Sequence, residues 1–380
     1  MLLSYLIRLK IRLQFTGWLQ YIPTAIFAIL FLLIALFARF LESRWVAVPF
    51  TFVGLLLLTV LLFDLVTVKF HLHPREGLPK QNDDLAMFDL IRSRRSCRSF
   101  QGRKLTLADH ESLMQAVRLH SDAPTVGKGP IRFEYAAAPL TVWPVVGATE
   151  FLVAIAPSEY NRLAIIDVGR SLQKIVIDAT RIGLATCWIG PGADQASIAQ
   201  QLGDRFNAKE DHIICVCAVG YRSWYKPAFL RVIQSIQRRR LPLSALFFAD
   251  SSFEFPLDTD MAPFNRFGRS YEICQWSPSS FNGQTTRCVA VSEQDEVEIA
   301  TAEKREPRVL RVDFYAATAS RYYAAVALGI WFANWEMCCE ALDIQGHLAL
   351  LSAEERGARD EAAIPQLPRY DMSWVLDESV

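Results

Sequence analysis

Residues 92–99 read RSRRSCRS, four arginines and three serines in eight positions. Within the run, Arg94, Arg95, Ser96 and Arg98 gather three guanidinium groups and a hydroxyl. Guanidinium forks match phosphate oxygens two at a time, and a serine hydroxyl adds a short donor. A phosphorylated cofactor is therefore one natural ligand. Anionic lipid headgroups are a second, since a strongly apolar N-terminus ends just upstream, and a plain solvated face is a third. The run alone does not choose among them.

Two further segments carry groups suited to ligand contact. WSPSSFNGQ (276–284) sets Pro278, Ser279, Ser280, Asn282, Gly283 and Gln284 in a loop of small hydrogen-bonding groups. Such a loop suits a heterocycle or a sugar chain, and equally an ordinary surface turn. GLATCWIGPG (183–192) has glycines through which a ligand edge could approach the backbone; it reads equally as a helix cap and loop ahead of a strand. Cys187 has no activating histidine near it in sequence, and Cys215 and Cys217 alternate within an apparent strand, so all three read as packing thiols. His71 and His73 stand in a loop without further ligands, and no metal is expected there.

The chain that must position these groups has 380 residues, 52% of them apolar, with 40 Lys+Arg against 40 Asp+Glu. That balance leaves no global field to draw nucleic acid, so any basic function is local. The eight cysteines are scattered among apolar neighbours, as reduced core thiols of a cytosolic-type compartment are. The apolar content is concentrated near the N-terminus. Residues 22–38 run 17 positions and residues 45–63 run 19 without a charge, each near the length a helix needs to cross about 30 Å of hydrocarbon. Joined by RFLESR, they predict a transmembrane helical hairpin over 21–68. Residues 1–20 place Arg8 and Arg12 four apart among large apolar side chains, which fits a helix lying in the membrane interface. No small-residue cleavage site follows the first span and a second span comes directly after it, which argues against a signal peptide. Arg8, Lys10 and Arg12 before the hairpin, with Lys69, Arg75 and Lys80 after it, favour both ends inside. The expectation is a multi-pass protein of the inner (cytoplasmic) membrane with its soluble unit facing the cytoplasm.

HLHPREGLPKQNDD, polar and holding two prolines, reads as a linker over 69–85. LAMFDLIRSRR then carries a helical stripe, and TLADHESLMQAVRLHS follows with Thr106 as N-cap and Leu107, Leu113, Ala116 and Val117 facing inward. Residues 150–156 and 212–220 are short, apolar and β-branched, hence buried strands. Between them Val168, Leu172, Ile175, Val176, Ala179 and Ile182 recur at helical spacing until Gly183 ends the helix. Part of this pattern returns. Gly169, Leu172, Ile175, Ala179 and Ile182 are matched 160 positions later by Gly329, Phe332, Trp335, Cys339 and Leu342. Residues 119–136 likewise resemble 276–291, each running from a helix end through turn residues into a strand. Two matches at nearly one offset predict a duplicated α+β unit, with halves over 86–245 and 263–380 and a connector over 246–262.

In order along the chain, IRSRRSCRSF, DVGRSLQKIVIDATRIGLATCWIG, AVGYR and SPSSFNGQ resemble the flavin-dependent nitroreductase family. The resemblance is to the subgroup in which two nitroreductase-like halves are fused in one chain, and it covers about residues 86–378. It implies an α+β nitroreductase-like fold, an internally duplicated single-chain pseudodimer behind the transmembrane hairpin. The family forms obligate dimers with FMN at the interface. Carried over, Arg94, Arg95, Ser96 and Arg98 would hold FMN phosphate and ribityl oxygens. Pro278, Ser279, Ser280 and Asn282, in the loop that also holds Gln284, would come from the other half. Backbone amides of Ile189 and Gly190 would face flavin N5, and Lys226 and Arg231 would add charge at the phosphate. The first half shows SDAPTVGKG where the serine loop would be, and the second shows NRFGRSYE in place of the arginine motif. One flavin site per chain is therefore expected, with no oligomer required to complete it. Two departures stand out: Gln284 precedes Thr285 and Thr286 where Gln-Pro-Trp is common, and Pro191 replaces a common glycine and removes a backbone donor.

The resemblance implies an NAD(P)H oxidoreductase. Hydride would pass by a ping-pong mechanism through flavin N5 to an electron-poor small-molecule acceptor such as a nitro compound or a quinone. The chemistry would be the cofactor's, with no catalytic side chain to nominate, and membrane lipid would be a partner through residues 1–68. The alternatives are a non-catalytic or degenerate flavin-binding membrane protein, motivated by the two departures, and a flavin-dependent dehalogenase-type enzyme.

Overall fold

The computed structural model describes residues 18–138, 140, 142–190, 192–228, 230–231, 239–292, 309–357 and 367–377. Pro191 and residues 1–17 of the expected interfacial segment lie outside them. The two apolar runs form helices α1 (Ile22–Phe40) and α2 (Arg44–Asp64), the second continuing as a π turn over Leu65–Lys69. Only 17% and 11% of their apolar windows are buried against protein, and Phe37, Trp45 and Phe52 stay exposed. A core helix of a globular domain would be covered. Both helices are long and apolar enough to cross a membrane.

The first half begins with α3 (Met87–Ser93) and α4 (Leu107–Ser121), the latter capped by the Thr106 hydroxyl, which accepts the Asp109 N–H at 3.2 Å. Leu113, Ala116 and Val117 face inward, whereas Leu107, the first residue of the helix, is exposed. Then come β1 (Arg132–Ala136), β2 (Glu150–Pro157), α5 (Arg162–Arg181), β3 (Ala185–Ile189), α6 (Gln195–Leu202) and β4 (Asp211–Gly220). The strands pair antiparallel in the order β1-β2-β4-β3. Gly183 closes α5 at φ +82, a left-handed conformation that glycine takes without penalty. The segment after it is not the loop that its glycines imply. Residues 185–189 are an edge strand on β4, because Thr186 and Ile189 are β-branched and buried against that neighbour.

The second half contributes β5 (Phe247–Phe248), α7 (Ser270–Gln275), β6 (Thr286–Ser292), β7 (Val309–Ala316), α8 (Tyr323–Ala341), β8 (Gly346–Ala349) and β9 (Arg369–Leu376). Its sheet order is β5-β6-β7-β9-β8. Removing β5 leaves β6-β7-β9-β8, the order of the first sheet, with α8 placed between its second and third strands as α5 is in the first half. The chain is thus an internally duplicated α+β pseudodimer. The connector has a role the sequence reading lacked: its β5 adds a parallel edge strand to the second sheet, pairing Phe247 with Cys288.

One continuous apolar core contains α5, α8 and the facing residues of both sheets. The two central helices cross at Gly169 and Gly329. A Cβ on Gly329 would land on the Ile166 carbonyl oxygen, and one on Gly169 on the Val326 carbonyl. Beside the crossing, Gln173 donates to Asn334 Oδ1 at 3.0 Å, and Asn334 donates to Ser277 Oγ at 2.8 Å, all three side chains buried. Arg170 and Lys174 of α5 pair with Glu336 of α8 at 2.8 and 2.9 Å. Gly329→Ala is expected to cost about 1–3 kcal/mol through overpacking against backbone, read as a lower midpoint in denaturant unfolding of the full chain. Gly77→Ala, where nothing lies within 4 Å of the added carbon, serves as the unshifted control.

Candidate functional site

At Arg94 the chain leaves α3 with φ −57 and ψ 127 and turns extended. Ser96 bridges Thr186 of β3, the Cys97 N–H donates to the Thr186 carbonyl at 2.8 Å, and the Arg98 carbonyl accepts from Val146 at 3.0 Å. In an extended chain alternate residues share a side. Arg94, Ser96 and Arg98 share one side and line a cavity, which Arg95 and Cys97 also border although Cys97 packs in the core with Cys187 and Ile189.

That cavity has a volume of about 980 Å³, at the upper end of small-molecule sites. Both halves build it. The first supplies Arg94, Arg95, Ser96, Arg98, Ile189, Gly190 and Lys226; the second supplies Pro278, Ser279, Ser280 and Asn282 with Tyr323, Val326, Ala327 and Ile330 of α8. The relay from Gln173 through Asn334 to Ser277 fixes the base of the serine loop.

Two residues singled out from the sequence lie elsewhere. Gln284, at φ +47, turns away and staples the loop to the end of the first half: its Oε1 accepts the Leu241 N–H at 2.8 Å. Arg231 is exposed and donates to the Lys226 carbonyl at 3.2 Å, so its charge does not line the cavity.

The wall is strongly cationic. Lys80, Arg94, Arg95, Arg98, Arg222, Lys226 and Arg240 line it, and no Asp or Glu does among the described residues. Arg94 is buried, and burial, then the neighbouring Arg95 and Arg240 guanidinium groups, push its pKa down to about 10. Burial, then Arg95 and Arg92, push Arg240 down to about 10 as well. Both remain charged at neutral pH. The Trp276 ring moderates this repulsion: Arg92 stands 3.6 Å, Arg240 5.2 Å and Arg95 5.4 Å from its centroid. Arg240 also donates to the Ser277 and Trp276 carbonyls at 3.1 and 3.3 Å. Arg94 Nη1, Arg240 Nε, Thr186 Oγ1 and Trp188 Nε1 are nevertheless buried without a hydrogen-bond partner, an arrangement that costs stability unless a ligand accepts or donates there.

Arg240, Trp276 and the linker residues Pro79, Lys80 and Asn82 belong to this wall and were not singled out from the sequence. The run RRRLP (238–242) was a signal for Arg240. The polar composition of the linker held none. Its Asn82 donates from N–H to the Arg181 carbonyl at 2.6 Å and from Nδ2 to the Thr180 carbonyl at 2.7 Å, which lays the segment against the end of α5. The glycine at 183 is needed again there, since a Cβ would lie 2.6 Å from the Lys80 carbonyl oxygen.

The pseudosymmetric space on the other side of the helix pair is filled. Positions 163, 166, 167 and 170 of α5 correspond to 323, 326, 327 and 330 of α8 under the 160-residue offset. Asp167 accepts the Val126 and Gly127 N–H groups at 3.0 and 2.7 Å, and Arg170 donates to the Pro124 carbonyl at 2.9 Å. A Cβ on Gly127 would sit 2.7 Å from Leu163. The first-half loop is therefore pinned onto its helix, whereas Val326, Ala327 and Ile330 leave room above α8.

Two repeated α+β units with one cation-lined cavity between them define a fused dimer with a candidate ligand site. A family model described as "Putative TM nitroreductase" matches residues 86–334, and the chain belongs to this nitroreductase family. Among solved structures, a "putative nitroreductase" from Thermotoga maritima is 14% identical, covers 77% of this chain and 93% of its own, and has a TM-score of 0.42. An FMN-dependent nitroreductase of Clostridium difficile is 19% identical over 40% of this chain and 96% of its own, with a TM-score of 0.30. A nitroreductase with bound FMN from Bacteroides fragilis is 16% identical over 37% and 89%, also with a TM-score of 0.30. No curated protein matches the chain.

All eight cysteines are unpaired and buried. Burial raises the pKa of Cys187, and it pushes Cys97 up to about 12. Both thiols therefore stay protonated at neutral pH and are poor nucleophiles. Iodoacetamide at pH 8 is expected to label none of the eight in the native protein and all of them after denaturation, counted by intact mass.

Proposed function

We propose that this chain is a membrane-anchored, FMN-dependent NAD(P)H oxidoreductase with one flavin site. The observation that carries the reading is a cavity wall with seven cations and, among the described residues, no carboxylate and no protein acceptor for the buried donors Arg94 Nη1 and Arg240 Nε. A dianionic phosphate offsets that charge and takes those donors. Arg94, Arg95, Ser96, Arg98 and Arg240 would hold the phosphate and ribityl oxygens, with Lys226 as further charge. Ser279, Ser280 and Asn282 would close over them from the second half. Val326, Ala327, Ile330 and Leu184 offer an apolar bed for a planar ring, whose edge would meet Trp188 and the backbone of Ile189 and Gly190.

When bound, FMN supplies hydride chemistry at N5, alternating between a reduced nicotinamide and an electron-poor acceptor such as a nitro compound or a quinone. The protein's part is to bind, orient and exclude water. No side-chain acid is assigned, and the acceptor's proton is drawn from solvent. Both walls come from one chain, so no oligomer is needed to complete the site. The hairpin α1–α2 would lie in the inner membrane with the catalytic unit on the cytoplasmic side, as Lys69, Arg75 and Lys80 after the second span favour.

Purified protein is expected to release FMN on denaturation, and NADH or NADPH is expected to bleach its visible flavin absorbance in stopped flow. A yellow protein that neither nucleotide reduces would overturn the oxidoreductase reading. Arg98→Ala and Arg240→Ala should each weaken FMN binding by about 1.5–3 kcal/mol, roughly 10- to 100-fold in Kd by calorimetry. Unchanged affinity in both variants would count against the phosphate cradle.

A further inference from the structure

We infer that the electron acceptor is a lipid-dissolved quinone, met where one wall of the cavity sits at the membrane surface. The inference rests on the oxidoreductase reading above and goes beyond it in fixing where the acceptor comes from. Its starting point is the length of the second apolar helix. Residues 45–63 are uncharged, and 19 helical residues rise about 28 Å, close to the thickness of a hydrocarbon core. Asp64 is the first charge after that run and Lys69 the next, so the edge of that core falls within Asp64–Lys69.

Asp64 is buried and bonded to the soluble unit: its Oδ2 accepts the Ala228 N–H at 2.9 Å. The Phe63 and Tyr225 rings meet beside it at 6.4 Å. Ala228 stands two residues after Lys226, which lines the cavity, as does Arg222 on the same segment. Two residues reach at most about 7 Å. This wall of the cavity thus lies close to the hydrocarbon boundary rather than at the end of a long leash.

The surroundings fit that placement. Trp224 is 82% exposed although its backbone N–H is held by Glu76 Oε1 at 2.5 Å. Phe70 and Leu72 are also exposed, the Trp18 and Phe70 rings pack at 6.3 Å, and the Lys69 ammonium stands 5.2 Å over Trp18. Indoles and lysines at the ends of apolar spans are the usual occupants of the headgroup layer. The tether is also fixed in length. Gln101 Nε2 bridges the Gly77 and Arg222 carbonyls at 3.0 and 3.1 Å, and Asn82 binds the end of α5, so the segment leaving the membrane is built into the site. A water-borne acceptor has no use for such a placement. A quinone in the bilayer needs to advance only its ring across the boundary. The reaction balances as quinone plus NAD(P)H plus one proton giving hydroquinone plus NAD(P)+. Both quinone carbonyl oxygens become hydroxyls, using the hydride from the nicotinamide and a proton from water.

The test uses full-length, FMN-loaded protein in phosphatidylcholine proteoliposomes, with a long-tailed benzoquinone in the bilayer or a short-tailed, water-soluble one outside. NADH or NADPH should bleach the flavin equally in wild type, Trp224→Ser and Asp64→Leu. Reoxidation by the long-tailed quinone should slow by about tenfold in Asp64→Leu, the scale of one lost hydrogen bond to a charged group. It should slow as well in Trp224→Ser, which removes the exposed indole, while reoxidation by the soluble quinone stays unchanged in both. Equal reoxidation of wild type and both variants by the long-tailed quinone, or none at all, overturns the inference. Failure of either nucleotide to bleach the flavin instead overturns the oxidoreductase reading. The placement is decided separately by a spin label on Trp224→Cys, feasible because the native thiols are buried. Stronger relaxation by dissolved oxygen than by a water-soluble nickel chelate is expected, and the reverse result places the segment in water and overturns the inference.

Discussion

The close crossing of α5 and α8 at Gly169 and Gly329 is the constraint from which the rest of the molecule follows. With no side chain at either position the two backbones approach to within carbonyl contact, so the duplicated halves share one core instead of meeting at a surface. The same closeness lets Gln173 reach Asn334, and through it Ser277. A loop that belongs to the second half is thereby held against arginines that belong to the first. A dimer of separate chains would have to assemble this arrangement at a concentration-dependent cost; fusion makes it intramolecular.

Duplication also explains why the two sides of the helix pair differ. Once the halves are joined, each can change without changing the other. The α8 side has small or apolar residues at 326, 327 and 330 and a cation-rich facing segment, which leaves space and field for an anion. The α5 side has Asp167 and Arg170, whose bonds to the loop at 124–127 close the equivalent space. The open side is unfavourable by itself. Buried guanidinium groups repel one another, and the Trp276 ring with the carbonyls of residues 276 and 277 meets only part of that demand. A site that is costly when empty favours retention of its ligand.

The tether obeys the same logic of fixed geometry. Polar and proline-containing, it has the composition of a loose linker, yet Glu76, Gly77 and Asn82 pin it at three places to elements that line the cavity. Anchor and site are in this way parts of one structure.

Much of this was legible in the residues alone, and the gaps have physical causes. The periodicities of α4, α5 and α8, the Thr106 cap, the stop at Gly183, the apolar hairpin and the arginine and serine motifs are local patterns, and local sterics write them directly into the chain. Gln284 leaves the cavity because a positive φ turns its side chain onto the Leu241 backbone. Arg231 misled because a basic residue near a motif carries no sign of which way it faces. Arg240, Trp276 and Lys80 were passed over because each reaches the cavity through contacts distant in sequence, and β5 because two residues have no period. The sequence by itself thus determined the repeated α+β units, the apolar spans and the polar motifs that line the cavity, since those depend on neighbours within one or two turns. Only the tertiary structure decided that a single cavity stays open among the described residues, which cations surround it and how near it lies to the second apolar helix, because each depends on how closely two helices pack and on what that packing brings within hydrogen-bond reach.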